Sequence, residues 1–337
     1  MIVKMPKLSW ILGSALTAML PHTAVAHHSF AAHFLMDTLV ETEGRVTEVQ
    51  WTNPHAFVRI VDAAGDDWEI ELGPVNLLTR LGIERDMITV GETIRARGNP
   101  GRRDARVLWT SNILLADSTE LVVGPRAEPY WTGEVVGDTS VFVAEASAGE
   151  VDDRSFFRIW TPPITSFPRP REDASLTVRG VEAQAAYGID KQVIGDCEMV
   201  GMPFAMMSPY PIELVDRGED ILIRSEYNDL ERVVHKRALQ DQPPPSPLGY
   251  SRARVEGDDL IIETDRIDFH SYGDQGPAQG PESHVTERFA LSEDGRELAY
   301  EILIEDSVML SAPWQWGGRF VLRDDAELKP WNCGEEN

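Results

Sequence analysis

Four histidines near the start of the chain have the residue type and spacing to bind a metal ion: His27, His28, His33 and His55. An Ala-Val-Ala sequence ends at Ala26, and small residues in this pattern are typical of signal-peptide cleavage. Cleavage there makes His27 the first residue, so that its α-amino group and its ring nitrogen can chelate one ion. Imidazole ligands suit copper, zinc, nickel or iron. One interpretation of the pattern is a mononuclear copper site for metal handling or oxidation, held by His27 and His55 and helped by His28 or His33.

A structural interpretation of the same histidines is the alternative. Their spacing matches none of the usual zinc patterns. His27 and His28 would then belong to a frayed N-terminus, and His55, which follows Pro54, would donate to a backbone carbonyl beside the first barrel.

The two cysteines of the chain, Cys197 and Cys333, form a second candidate pair. In an oxidising compartment, an isolated pair predicts a disulfide. The alternative is two free or metal-bound thiols, because four methionines lie between residues 199 and 207 and soft sulfur ligands select Cu(I). Methionines also fill gaps in apolar cores. A disulfide and a thiolate site exclude each other.

His284 and Glu287 form a third candidate pair, near the carboxylates Asp265 and Asp268. A histidine with a carboxylate can perform acid/base catalysis, but charged residues on a solvated strand give the same pattern. The sequence contains no GxSxG, HExxH, Walker or Rossmann motif. No familiar hydrolase, zinc protease or nucleotide enzyme is therefore predicted.

The first 26 residues have the three parts of a secretory signal. Lys4 and Lys7 precede an apolar run over residues 8–20, and the cleavage pattern follows. The run is shorter than the roughly 20 residues that cross a bilayer. We expect an exported protein, periplasmic or secreted, without a membrane anchor.

The charge of the chain limits its partners. Its formal net charge is −25, and loss of Lys4 and Lys7 with the signal, which contains no acidic residue, makes it −27. Such a surface repels phosphate backbones and anionic lipids, which argues against nucleic-acid and membrane partners. It is compatible with cations, neutral molecules or a basic partner, and also with solubility alone.

Residues 27–120 have the pattern of an OB-like domain. Alternating residues predict strands over 39–49, 56–62, 67–72, 92–98 and 105–115. Between the third and fourth strands, Asn76 is positioned to cap a short helix that ends at Gly82. Three strands, a helix and two strands is the order of a five-stranded OB barrel. The fold alone does not assign a ligand.

The rest of the chain is also predicted to be all-β. Residues 121–150 are interpreted as a connector, and residues 151–337 as an antiparallel, lipocalin-like barrel or meander of about eight strands. Such a barrel can hold one small apolar molecule. The residues that we expect near this pocket or its core are Trp160, Tyr210, Tyr227, His284, Glu287, Trp314 and Trp316.

The N-terminal part resembles a bacterial exported family of unknown function. The resemblance covers about residues 27–115. It rests on His-His-Ser-Phe at 27–30, on Trp-Thr-Asn-Pro-His-Ala at 51–56 and on the segment from Glu71 to Gly82. It implies an exported domain and no particular reaction.

The C-terminal part is similar to another widespread exported module without an assigned activity. The residues that carry this similarity include Gly-Met-Pro at 201–203, Glu-Gly-Asp at 256–258 and Trp-Asn-Cys at 331–333. Related modules carry Gly-His-Ser before the Glu-Gly-Asp turn, where this chain has Gly249-Tyr250-Ser251. That departure weakens a catalytic role for this loop.

The sequence as a whole favours a non-catalytic accessory protein that binds a small apolar ligand in its second domain. The alternatives are the N-terminal copper site and, more weakly, an acid/base enzyme using His284 and Glu287.

Overall fold

In the computed structural model, the chain folds into two β-domains. The structure describes residues 33–124, 127–131, 133–137, 145–147, 154–186, 197, 199–273 and 277–334. Within this part of the chain, no helix is long and apolar enough to cross a membrane. The predicted all-β class is confirmed.

The first domain is a closed five-stranded barrel. Its elements are β1 (Val40–Gln50), β2 (Phe57–Asp62), β3 (Asp67–Glu71), α1 (Val75–Arg80), a 3-10 turn (Arg85–Met87), β4 (Thr93–Pro100) and β5 (Val107–Leu114). The strands follow the order β3-β2-β1-β4-β5, and β3 pairs with β5 in parallel to close the ring. The predicted OB-like order is therefore confirmed.

Two further strands extend this sheet beyond the barrel. β6 (Glu120–Val122) pairs with β5, and β7 (Val135–Val136) pairs with β6. Part of the segment interpreted as a connector thus continues the first sheet.

The helix α1 begins earlier than predicted. It starts at Val75 after Pro74, and no side chain caps it, so the prediction that Asn76 is its cap is wrong. Asn76 lies in the first turn, and its side chain contacts the second domain instead. Gly82 follows the helix with a φ of 77°, a conformation that glycine adopts without strain.

The second domain is a ten-stranded sheet curled into a half-barrel. Its strands are β8 (Ile159–Trp160), β9 (Arg169–Pro170), β10 (Ile212–Asp216), β11 (Asp220–Ser225), β12 (Leu230–His235), β13 (Tyr250–Glu256), β14 (Asp259–Asp265), β15 (His284–Leu291), β16 (Glu297–Glu305) and β17 (Trp314–Val321). Its helices are α2 (Val178–Ala186) and the 3-10 turns Phe204–Met206 and Tyr227–Asp229. The predicted antiparallel meander is confirmed from β13 to β17.

One pairing departs from the meander. β12 and β13 are parallel and pair over only two residues, Val234 with Ser251 and His235 with Arg252. On the other side of the sheet, Thr161 and Val321 exchange backbone hydrogen bonds of 3.0 and 2.8 Å, which bring the two sides of the half-barrel together.

Each domain has its own apolar core. Alternate residues point inward along each strand, as with Leu298, Tyr300, Ile302 and Ile304 on β16, each 1% exposed or less. The first core surrounds Ile60, Ile70 and Leu108, and the second includes Trp160, Phe289 and Trp316.

A buried polar junction joins the domains. Glu226 of the second domain accepts hydrogen bonds from Arg80 (2.6 Å to Oε1 and 2.5 Å to Oε2) and from Asn76 Nδ2 (3.0 Å). Asn76 and Arg80 are four residues apart, so they project from the same face of α1. The Glu226 side chain is fully buried.

Candidate functional site

The candidate site lies where β3 and β5 pair, and its side chains include a histidine, a carboxylate and aromatic rings. Glu71 of β3 is the direct partner of Trp109 of β5. Their neighbours Ile70 and Leu108 are completely buried in the core. Because side chains alternate along a strand, Glu71 and Trp109 lie together on the outer face of the barrel.

His55 lies over this outer face. It follows the cis peptide bond between Asn53 and Pro54, in the loop that leads into β2. Its Nδ1 lies 2.6 Å from Glu71 Oε1, and the two side chains are only 16% and 14% exposed. Its ring centroid is 5.5 Å from that of Trp109.

The described N-terminal segment, residues 33–38, is anchored beside the same residues. Leu35 N donates to Pro100 O at 2.9 Å, and Arg102 N donates to His33 O at 2.7 Å. Asn99 Nδ2 donates to the carbonyls of residues 35, 36 and 38 at 3.2, 3.2 and 2.7 Å. These bonds fix the point from which the chain leads back towards residue 27.

Phe34 completes the cluster. It is 5% exposed and its ring centroid lies 6.1 Å from that of Trp109, while the His33 ring lies 6.5 Å from Phe34. His33 and His55, 22 positions apart in the sequence, therefore flank one pair of aromatic rings. We call His33, Phe34, His55, Glu71 and Trp109 the seam cluster.

The chemistry of the seam cluster centres on the imidazole of His55. A carboxylate bound to one ring nitrogen sets the tautomer and the orientation of the ring, and metal-binding histidines commonly have such a partner. Within the described ranges, no three His, Cys, Asp or Glu side chains are grouped to hold a metal. The predicted ligands His27 and His28 lie outside the described residues.

Two residues predicted for a pocket in the second domain lie in its core. Trp160 is fully buried and donates from Nε1 to Phe156 O at 2.9 Å. Trp314 is 8% exposed and donates from Nε1 to Glu172 O at 2.7 Å. It also packs edge-on against Trp316. Burial and these hydrogen bonds give Trp160 and Trp314 a structural role in the core of the second domain.

The two predicted tyrosines lie at the domain junction. Tyr210 and Tyr227 stack in parallel with centroids 6.0 Å apart, and both meet Trp331 edge-on. Burial, with the negative charge of Glu226 as a smaller contribution, raises the pKa of Tyr210. Tyr227 also packs against the core cluster that contains Trp160 and Trp314.

The structure separates His284 from Glu287. They are three residues apart on β15, so their side chains point to opposite faces of the sheet. Glu287 is completely buried and binds Arg232 through two hydrogen bonds of 3.0 and 2.5 Å and Tyr300 Oη at 2.5 Å. The hypothesis of an acid/base pair made of these two residues therefore lacks its geometry.

Cys197 and Cys333 form a disulfide, with an S–S distance of 2.11 Å. The predicted disulfide is confirmed, and the Cu(I) site that needed a Cys197 thiolate is excluded. Met202 and Met206 are buried in the second core, as the packing interpretation predicted.

An open groove of about 280 Å³ lies on the outer face of the half-barrel. Arg171, Arg254 and Arg288 line it, and each of them is paired with a carboxylate. Of the residues predicted near the pocket for an apolar ligand or its core, Trp316 lines this groove, and the others are not among its lining residues.

Sequence reasoning missed most of the residues that position His55. Glu71 belongs to a segment that carried the family resemblance, but nothing in its spacing linked it to His55. Nothing in the sequence pattern pointed to Trp109 or Asn99 as site residues. Their contacts with the site depend on the closure of the barrel and on the pairing of β4 with β5.

Comparison with known proteins leaves the first domain uncharacterised. A model for a family of unknown function (DUF6152) matches residues 16–108. No curated protein sequence matches the chain. The matched range contains four of the five seam-cluster residues and ends just before Trp109.

Proposed function

We propose that this protein is an exported, metal-binding accessory protein with a mononuclear copper site at the seam cluster. In this proposal, His55 supplies one imidazole, and the α-amino group and ring of His27 supply a chelate. The observation that carries the proposal is the 2.6 Å contact between His55 Nδ1 and Glu71. It gives His55 the carboxylate partner that metal-binding histidines commonly have.

The anchoring of residues 33–38 supports a role for the N-terminus. Six peptide units separate His27 from His33, and an extended chain of that length spans about 20 Å. His33 is held at Arg102, on the same aromatic cluster as His55. A chain that begins at His27 is therefore long enough to return to His55.

The donor set favours copper over other ions. Imidazole and amine nitrogens bind Cu²⁺ more tightly than the other divalent metals of the first transition row. The formal charge of −25 also attracts cations to the protein.

The small apolar ligand predicted for the second domain stays a prediction. Trp160 and Trp314 pack within the half-barrel core, and Glu287 is held by Arg232. A ligand in that interior would have to move packed side chains apart. The geometry therefore gives more support to the seam cluster.

Copper titration of residues 27–337, prepared so that His27 is the first residue, tests the proposal. His55→Ala is expected to abolish the tight Cu²⁺ site. Glu71→Gln keeps the size of the side chain but removes its charge, and should weaken affinity by about tenfold or more.

The matched control is His235→Ala. His235 Nδ1 contacts Asp220 at 2.7 Å, which is a similar histidine-carboxylate pair in the other domain. We expect this variant to bind Cu²⁺ like the wild type. Equal affinity in wild type and His55→Ala would refute the proposed site.

A further inference from the structure

The C-terminal segment, residues 329–334, contacts both domains. On the side of the first domain, Asn53 and Cys333 form a parallel β-bridge. Gly334 N donates to Asn53 O at 3.0 Å, and Asn53 Nδ2 donates to Trp331 O. Asn53 is 1% exposed, although it lies in a loop between β1 and β2. The end of the segment is therefore in contact with a buried loop of the first domain.

On the side of the second domain, the same segment is anchored up to Trp331. Lys329 N donates to Glu226 Oε2 at 2.9 Å, and Trp331 N donates to Asp229 Oδ1 at 2.9 Å. The Trp331 ring is 1% exposed and packs edge-on against two tyrosine rings, with centroid distances of 4.8 and 5.1 Å. Hydrogen bonds and ring packing thus fix residues 329–331 to the second domain.

The disulfide fastens the residues that follow this anchor. Cys333 lies two positions after Trp331 and is bonded to Cys197 of the second domain. Gly334 lies beside the same bond, since a Cβ atom added to it would be 3.4 Å from Cys197 Sγ. The disulfide therefore holds the part of the segment that exchanges backbone contacts with Asn53.

The disulfide is accessible in the folded protein. Cys197 is exposed and Cys333 is half-buried, so a thiolate in solution can approach the Sγ of Cys197. Exposed disulfides are more easily reduced than buried structural ones. The chain contains no third cysteine. After reduction, the two thiols can therefore re-form only the same bond within one chain.

We propose that the Cys197–Cys333 disulfide is a redox-sensitive latch for the contact between the two domains. The reductant is a dithiol, such as the Cys-X-X-Cys pair of a thiol oxidoreductase. Its first thiolate attacks Cys197 Sγ, and Cys333 leaves as a thiolate that takes up a proton. Its second thiolate then forms the disulfide of the reductant and releases Cys197, so that two electrons pass to the pair.

Reduction separates the two attachments of the segment. Residues 333 and 334 lose the bond that holds them at Asn53, whereas Trp331 keeps its ring contacts and its hydrogen bond to Asp229. The contact between the domains is therefore loosened at Asn53 without unfolding of the second domain. This inference does not depend on the proposed copper site.

Hydrogen exchange of residues 27–337 tests the latch, measured by NMR without added metal before and after reduction with dithiothreitol. The Gly334 amide is the direct reporter, because it donates to Asn53 O across the junction. Its exchange should become about fivefold faster or more, as expected when one hydrogen bond of ordinary strength is lost. The amides of Trp331 and of β14–β16 should change much less.

The double variant Cys197→Ala/Cys333→Ala is the matched control. It should show the fast Gly334 exchange of the reduced wild type, with or without dithiothreitol, because no cysteine is left in the chain. If this variant does not fold, the comparison between oxidised and reduced wild type still tests the inference. Alkylation of the free thiols, followed by mass spectrometry, establishes that reduction is complete.

Unchanged Gly334 exchange after complete reduction would overturn the inference. A disulfide that dithiothreitol reduces only in denaturant would also overturn it. Equal acceleration at Gly334 and throughout β14–β16 would do the same, because the disulfide would then stabilise the whole second domain rather than the contact with Asn53.

Discussion

At the residue scale, Arg232 and Glu287 form a completely buried ion pair inside the second domain. Arg232 also donates to Ser251 and Thr264 at 2.9 and 2.7 Å. It links β12 to β13, β14 and β15 beside the short parallel pairing of β12 with β13. The side chain thus connects β12 with β13, which pair with each other over only two residues.

Replacing Arg232 alone should be strongly destabilising. Arg232→Met leaves the Glu287 carboxylate buried without its cation, which costs about 3–5 kcal/mol of unfolding free energy. Denaturant titration measures this loss. The triple variant Arg232→Met, Glu287→Leu, Tyr300→Phe removes the ion pair and its tyrosine partner, leaves the hydrogen bond between Ser251 and Thr264, and should be more stable than Arg232→Met. A triple variant less stable than the single one would contradict this account.

The buried tyrosines predict a loss of stability at alkaline pH. Burial raises the pKa of Tyr210, Tyr272 and Tyr300, and the hydrogen bond to Asp306 adds to the effect on Tyr272. Above pH 10 the unfolded chain releases protons that the folded chain keeps. Stability is therefore complete below pH 10 and falls above it, by about 1.4 kcal/mol per pH unit for each tyrosine.

Tyr272→Phe tests the sign of this effect. Denaturant unfolding between pH 8 and pH 11.5 should show a shallower decline above pH 10 than in the wild type. Below pH 10 the variant should differ only by a constant loss, from its missing bond to Asp306. Parallel curves over the whole range would show that Tyr272 ionises alike in the folded and unfolded chains.

The sequence identified His55 and the two cysteines at the residue scale, because their chemistry is visible in the residue type. It did not identify Arg232 as the partner of Glu287, since 55 residues separate them. The partner of His55 was equally hidden, because Glu71 reaches it only after β2 and β3 pair.

At the scale of elements, a bulge in β4 shapes the wall under the seam cluster. The register between β4 and β5 shifts between Arg97 and Gly98. A Cβ atom added to Gly98 would lie 2.3 Å from Trp109 O. Only glycine allows the two strands to approach this closely beside Trp109.

Gly98→Ala should therefore destabilise the first domain by about 1–3 kcal/mol, as overpacking does. Thermal unfolding provides the measurement. Gly73→Ala is the control, because a Cβ there would meet nothing within 4 Å, and its melting temperature should stay near that of the wild type. Equal melting temperatures for Gly98→Ala and Gly73→Ala would count against the close-approach argument.

The elements of the first barrel were predictable because each strand alternates apolar and polar residues and each turn contains typical turn residues. In the second domain, hairpins with short acidic turns were recognised equally well. The parallel pairing of β12 and β13 was not, because the intervening residues 236–249 carry no signal for a crossover. α1 was found, but its start was misassigned because Asn76 serves the junction rather than a cap.

At the scale of the whole molecule, Glu226 joins the two cores. It binds α1 of the first domain and Lys329 N of the C-terminal segment, at 2.9 Å. The residues that meet there come from distant parts of the sequence, so the order of elements could not predict the junction. The presence of two domains, in contrast, could be predicted from the alternation of apolar and polar residues and from the turn residues alone.

Glu226→Ala should uncouple the domains. Loss of one partner of a buried charge pair costs about 2–5 kcal/mol, so calorimetry should show two transitions where the wild type shows one. Glu213→Ala, which removes an exposed ion pair with Arg224, should keep a single transition and cost less than about 1 kcal/mol. One cooperative transition in Glu226→Ala would show that other contacts couple the domains.

The copper site that we propose requires a chain that begins at His27 and binds the ion together with His55. The most direct measurement combines N-terminal mass with metal content on protein exported with its own signal, beside a form carrying one extra residue before His27. We predict one equivalent of copper on the chain that begins at His27 and its loss from the extended form. Equal copper in both forms, or a metal-free chain that begins at His27, would rule out this site.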